Sequence, residues 1–214
     1  MTNWQERASG LDPDTRTDAL IAQLAEAARG GGELALACFR PGAATSADVR
    51  HKAGGSPVTG ADLAVDAFLL QRLRPLFPDA GWLSEETVDS RERLTRRRAL
   101  IVDPIDGTRA YASGDARWAV SIALVEDGRP VAGVVHAPAM GDTFIATRGG
   151  GAFLNGARIR VSPRAAFDGA TTLAATAPTA AELHAAGPAF IAQPRVPSLA
   201  GWVLRGAPGP LRAR

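Results

Sequence analysis

Hydrophobic positions fall into two regimes along the chain, and the change between them divides it. Over residues 18–39 Leu20, Ile21, Leu24, Ala28, Leu34 and Leu36 recur at a helical interval, the spacing that lines one face of an α-helix. Gly30-Gly31-Gly32 weakens the middle of that run, because each glycine costs about 1 kcal/mol relative to alanine in a helix interior. Either tertiary packing holds one long helix together, or two shorter helices meet there. Residues 41–55 read as a loop. A second helix is expected over residues 60–74, where Ser56-Pro57-Val58-Thr59 supplies a turn and an N-cap, Leu63, Ala67 and Leu70 share a face, and Pro75 and Pro78 close the segment.

From residue 99 the pattern changes to short β-type runs. Residues 99–102 form an apolar strand candidate, and residues 118–125 and 130–135 are two further runs joined by Glu126-Asp127-Gly128-Arg129. Asp-Gly there suits the positive φ of a tight hairpin. Residues 143–146 and 152–154 continue the series, and Asn155-Gly156 signals a second hairpin before residues 158–161. Helices first and a meander afterwards predict an α+β fold, a sheet layered with helices, rather than alternating βαβ units. Beyond Ser162 the chain is rich in Ala, Pro and Gly, with residues 180–186 reading as a short helix.

Composition narrows the class. The 214 residues are 46% hydrophobic and 21% charged, near the averages of globular domains, and no apolar stretch reaches the length of a bilayer span. The N-terminus lacks a basic region followed by an apolar one, so it does not read as a secretory signal. Cys38 is the single cysteine, which excludes a disulfide within the chain and makes a reducing cytoplasm the expected setting. Lys and Arg total 24 against 22 Asp and Glu, a formal charge of +2. That mild field suits a small anionic substrate better than a nucleic acid polymer. The basic cluster at residues 91–98 reads as a solvated loop or turn. A homodimer is compatible with all of this.

The candidate chemistry lies at Asp103-Pro104-Ile105-Asp106-Gly107-Thr108. An apolar strand delivers Asp103, Pro104 turns the chain, and Asp106 returns three residues later, so that two carboxylates converge on one point. The Ile105 carbonyl between them is a further hard oxygen donor, and the amides of Gly107 and Thr108 open a helix that can receive a phosphate. Oxygen-only donors suit Mg²⁺ or Mn²⁺, whereas one thiol and the scattered His51, His136 and His184 argue against zinc. Asp-Pro and Asp-Gly are also ordinary turn dipeptides. Upstream, Glu85 and Glu86 are either partners of a cation or a solvated loop edge. Thr59 and Asp62 have capping-box spacing, with Asp in place of Glu, so Asp62 needs no other role than to cap its helix.

Taken together, S-P-V-T-x-A-D from Ser56, the Glu85-Glu86 pair and D-P-I-D-G-T from Asp103 resemble the inositol monophosphatase superfamily of metal-dependent, often lithium-sensitive phosphatases, over residues 20–162. The resemblance implies a layered α/β/α/β sandwich, with a metal and phosphate domain at residues 1–162 and a partial C-terminal α/β domain at residues 163–214. It makes Glu85, Asp103 and Asp106 side-chain metal ligands and Ile105 a carbonyl ligand, with Glu86 behind them. Thr108 then resembles the threonine that hydrogen-bonds the attacking water, and Asp62 the carboxylate that orients it, so that Thr108, Asp62 and Glu85 form the catalytic set. Gly107, Thr108 and Lys52 would contact phosphate, although solvated surface is an equal reading of Lys52. Two or three Mg²⁺ ions and in-line attack of a metal-activated water on a phosphate monoester are implied.

Within the superfamily, S-P-V-T-x-A-D, D-G-T-R-A-Y and the Val134-Val135-His136-Ala137-Pro138 run look most like the 3'(2'),5'-bisphosphate nucleotidase branch. Inositol monophosphatases and histidinol-phosphate phosphatases are the alternatives. The pattern breaks near the C-terminus, where the family carries W-D-x-A-A-G. Here Trp202 precedes Val203, and Glu182 is the last acidic side chain. The expectation is a C-terminally incomplete fold, produced by a frameshift or truncation, with a weakened second metal site. A catalytically impaired chain that still binds metal or phosphate is the competing reading.

Overall fold

The computed structural model describes residues 13–160 and two short segments, 172–173 and 191–192. One continuous helix, α1 (Pro13–Cys38), runs through all three glycines. The reason is packing. A Cβ on Gly30 would stand 2.7 Å from the Phe68 ring, one on Gly31 3.0 Å from Val65, and one on Gly32 2.7 Å from the His136 ring. Gly30 and Gly31 thus let α1 approach the second helix, α2 (Gly60–Leu73), and Gly32 lets it approach the sheet. What the backbone loses in propensity is offset by close contact.

Helix α2 buries Ala61, Val65, Leu69 and Leu73, a stripe spaced at four residues. Leu63 instead faces outward, 47% exposed. The face expected from Leu63, Ala67 and Leu70 is therefore the wrong one, because apolar residues surround this helix and periodicity alone cannot choose between its sides. Each fully buried aliphatic side chain contributes about 1.5–3 kcal/mol. The capping box at its N-terminus is complete, with Thr59 accepting from the Ala61 and Asp62 amides and the Asp62 side chain accepting from the Thr59 amide.

A short antiparallel hairpin, β1 (Val49–His51) with β2 (Pro57–Thr59), leads into α2. The main sheet has seven strands in sequential order: β3 (Gly81–Ser84), β4 (Arg98–Asp106), β5 (Ala119–Glu126), β6 (Arg129–Ala137), β7 (Asp142–Thr147), β8 (Gly151–Leu154) and β9 (Ala157–Ile159). Only β3 runs parallel to its neighbour, β4; the other pairs are antiparallel. Both tight hairpins form as the sequence implies, with Asp127 and Gly128 at φ 50° and 72°, and Asn155 and Gly156 at φ 49° and 82°. A two-stranded parallel pair, β10 (Thr172–Leu173) with β11 (Ile191–Ala192), completes the described strands.

Helix α1 lies over β5, β6 and β7, and α2 over β4. Leu100, Val102, Ile122, Leu124 and Val134 of the sheet meet Leu24, Ala28, Val65 and Leu69 in one core. The α+β sheet layered with helices is thus observed. The remaining layers, the short helix at residues 180–186 and the Trp202 region lie outside the described residues.

The basic run at residues 91–98 is a turn, as expected, containing a short 3₁₀ segment, Glu92–Thr95. Four of its five arginines are in ion pairs: Arg93 with Asp89, Arg96 with Glu92, Arg97 with Asp127 and Arg98 with Asp79.

Candidate active site

Strand β4 does not turn at Pro104. It continues to Asp106, and its pairing with β5 shifts by one residue, so that Asp103 lies opposite Ser121 and Asp106 opposite Ala119. In a regular strand, side chains three apart face opposite ways. The bulge inserts one residue and brings Asp103 and Asp106 to the same face of the sheet. Proline suits that position because it has no N–H to leave unpaired. Convergence of the two carboxylates was legible in the sequence, but the device that achieves it is a bulge rather than a turn.

After Asp106 the chain reverses through Gly107, whose φ of 92° belongs to glycine, and enters the short helix α3 (Thr108–Ser113). Tyr111 in that helix is fully buried, and its hydroxyl donates to the Ala35 carbonyl of α1 at 2.8 Å. Phe39 and Trp118 pack against its ring. The aromatic of D-G-T-R-A-Y is accordingly an anchor that ties α3 to α1.

Asp62 serves two elements at once. Its Oδ2 accepts from the Thr59 amide at 2.8 Å and the Thr59 hydroxyl at 2.6 Å, which is the capping role. Its Oδ1 accepts from the Thr108 hydroxyl at 3.0 Å. Thr108 Oγ1 also lies 3.0 Å from the Ile105 carbonyl, and since a hydroxyl has one proton the two acceptors compete for it. Asp62 is 1% exposed. Burial raises its pKa, and the hydrogen bonds from Thr59 and Thr108 oppose that rise.

Lys52 follows β1 and reaches across to the other acidic pair. Its Nζ lies 2.9 Å from Glu86 Oε1, 3.3 Å from Glu85 Oε1 and 3.3 Å from the Glu85 carbonyl. Lys52 is thus a partly exposed side chain paired with the acidic residues, 30% exposed itself. Burial lowers the Lys52 pKa, yet the bonds and charges of Glu86 and Glu85 outweigh it and the net shift is upward. Glu86 is pushed up by burial, against the pull of Lys52. Its side chain is 5% exposed, whereas that of Glu85 is 55% exposed.

Asp103 is the electrostatic focus. Its carboxyl is pushed up to about 8, first by burial and then by Asp106, Glu85, Asp62 and Glu86. Asp103 feels the charge of four other carboxylates, and carboxylate and carbonyl oxygens are the donor type that a divalent cation such as Mg²⁺ takes. Residues able to hold one are Asp103, Asp106, Glu85 and the Ile105 carbonyl. Among the described residues no group of three or more His, Cys, Asp or Glu side chains is gathered closely enough to enclose an ion. Glu85 lies instead against Lys52.

Sequence reasoning passed over Asp66. It is buried on α2 and accepts from the Ser84 hydroxyl at 2.5 Å and the Thr87 hydroxyl at 2.5 Å. The available signal was its spacing, four residues beyond Asp62 on an otherwise apolar face. His136, given no role in the sequence, is a packing residue, its Nδ1 2.9 Å from Thr143 Oγ1. No helix among the described residues is long and apolar enough to cross a membrane.

Residues 16–197 match the model of the inositol monophosphatase family. A 3'(2'),5'-bisphosphate nucleotidase CysQ of Aggregatibacter actinomycetemcomitans is 40% identical over 139 residues, 64% of this chain and 50% of that protein. A histidinol-phosphatase of Chlorobaculum parvum is 38% identical over 152 residues, 71% of this chain and 54% of that protein. The chain spans about half the length of these curated relatives. Among solved structures, the extragenic suppressor protein suhB of Bartonella henselae superimposes with a TM-score of 0.74 at 29% identity, covering 88% of this chain and 75% of that one.

Proposed function

Because the chain belongs to the inositol monophosphatase family, we propose that it is a Mg²⁺-dependent phosphomonoesterase that hydrolyses adenosine 3',5'-bisphosphate, or the 2',5' isomer, to AMP and phosphate. One observation supports this reading above the rest: the Asp62 carboxylate that caps α2 also holds the hydroxyl of Thr108 at 3.0 Å. Capping alone would not require that second bond.

With its proton directed to Asp62, Thr108 Oγ1 keeps lone pairs that can accept a hydrogen bond from a water and align it for attack. Asp62 stays buried and satisfied, so it orients Thr108 without exchanging with solvent. Glu85, Asp103, Asp106 and the Ile105 carbonyl would hold Mg²⁺, with Glu86 behind them. When bound, the cation lowers the pKa of water and neutralises developing charge on phosphate and leaving oxygen. The Gly107 and Thr108 amides and the Lys52 ammonium are the donors for the phosphate oxygens. The nucleotidase choice is supported by S-P-V-T-x-A-D, D-G-T-R-A-Y and the CysQ relative.

The test is Mg²⁺-dependent phosphate release from adenosine 3',5'-bisphosphate, inositol 1-phosphate and histidinol phosphate, with Asp106→Asn as control. Preference for the bisphosphate is expected. Faster release from either other ester would reassign the substrate, and wild type no better than the control would leave a chain that binds metal or phosphate without turnover.

A further inference from the structure

Asp66 takes no part in the steps above, yet it is a carboxylate only 7% exposed, and both its oxygens are engaged. Oδ1 accepts from Ser84 and Oδ2 from Thr87, each at 2.5 Å. Those two residues bracket Glu85 and Glu86. Ser84 Oγ in turn accepts from the Glu86 amide at 3.2 Å, so one carboxylate grips both ends of a four-residue segment and, through Ser84, its middle.

We propose that Asp66 is a positioning residue for the Glu85-Glu86 pair, fixing the direction in which both carboxylates leave the backbone; the cation and phosphate consequences rest on the function proposed above. The segment needs such a support because β3 ends at Ser84, beyond which no sheet ladder holds the chain. A purely structural slot between Val65 and Leu69 is filled at lower cost by an apolar side chain, since a buried carboxylate must recover its lost hydration through hydrogen bonds. Here it recovers it from the two hydroxyls that flank the acidic pair. Bonds to an ionised acceptor are about twice as strong as neutral ones.

Asp62 and Asp66 stand four residues apart on one face of α2, a separation of about 6 Å along the axis. One rigid helix therefore sets the spacing between Thr108, held by Asp62, and the Glu85-Glu86 segment, held by Asp66. Glu86 passes the constraint on to Lys52 at 2.9 Å.

Asp66→Ala, Asp66→Asn and Thr87→Val, each in the full chain, test the proposal through two readouts. The first is amide hydrogen exchange over residues 84–87 in protein stripped with EDTA; the second is the Mg²⁺ dissociation constant from calorimetry. Asp66→Ala is expected to speed exchange at residues 84–87 at least about tenfold, with β5 and β6 unchanged, and to weaken Mg²⁺ by roughly 10–100-fold, as outer-sphere removals do. Asp66→Asn keeps one acceptor oxygen and should recover part of both losses, and Thr87→Val should shift both in the same direction by less. Wild-type exchange at residues 84–87 in the folded Asn and Val variants overturns the proposal, as does faster exchange with an unchanged Mg²⁺ constant. Should Asp66→Ala not fold, those two variants decide. Wild type that binds no Mg²⁺ overturns the proposed function instead, and exchange alone then decides whether Asp66 positions the pair.

Discussion

Asp62 and Glu85 are carboxylates of the proposed site, yet they are held by opposite means. Asp62 is 1% exposed and satisfied by short hydrogen bonds from three groups on two elements. The Glu85 side chain is 55% exposed and shares a single ammonium with Glu86. In the buried half, low polarity strengthens every bond and makes an unpaired oxygen costly. At Glu85, water screens the contact with Lys52 and that contact is worth little, whereas Glu86, 5% exposed, is the more firmly held partner of the ammonium. The first arrangement fixes geometry before any ligand arrives. On the function proposed above, the second would exchange the Lys52 ammonium for a divalent cation at Glu85.

Removing the hydroxyl that Asp62 holds should break the comparison most. Thr108→Val keeps the shape of the side chain and deletes the bond to Asp62; phosphate release is expected to fall at least about a hundredfold, with KM for the substrate changed less than kcat. A loss confined to KM would place Thr108 in binding alone. Gly32→Ala probes the platform beneath both halves. In an exposed helix that change gains about 1 kcal/mol, but here the new Cβ meets the His136 ring at 2.7 Å. Thermal or urea unfolding should show a net loss of about 1–3 kcal/mol, with an unchanged Mg²⁺ constant.

Lys52→Met sharpens the contrast from the exposed side. Removing the competing ammonium should tighten Mg²⁺ several-fold by calorimetry, while KM for the phosphate ester rises several-fold; tighter metal without a weaker KM would remove Lys52 from the phosphate contacts. The smallest effect belongs to His136. Burial lowers its pKa from 6.5, with Arg29 adding to the fall and the Asp142 backbone and Glu33 opposing it. A lowered histidine contributes stability that is present above pH 6.5 and lost as pH falls through the folded value. Melting temperature should therefore drop further between pH 7.5 and 5.5 in wild type than in His136→Phe. Parallel curves for the two proteins would show that His136 does not titrate differently on folding.

Much of this was legible in residue order. Asp127-Gly128 and Asn155-Gly156 specified their hairpins locally, because only residues tolerant of positive φ close a two-residue turn. The convergence of Asp103 and Asp106 followed from residue type and spacing, whereas the pairing of Glu85 with Lys52 did not. Strand β3 and the β1–β2 hairpin were missed because each is only three or four residues long, too short for a periodic signal. The buried face of α2 was misassigned because Leu63, Val65, Leu69 and Leu70 leave no single apolar side to read.

The sequence by itself determined the two hairpins, the helices-then-meander order and the acidic and hydroxyl residues of the site, all of which depend on local sterics or on chemistry that travels with residue type. Only the tertiary structure decided that the three glycines of α1 are contacts, that a bulge at Pro104 turns Asp103 and Asp106 to one face, and that Asp62 and Asp66 each bind a second segment. The physical reason is common to all three: each depends on which residues distant along the chain meet, through helix packing for α1 and α2 and through the β4–β5 ladder for the bulge, and no local pattern records it.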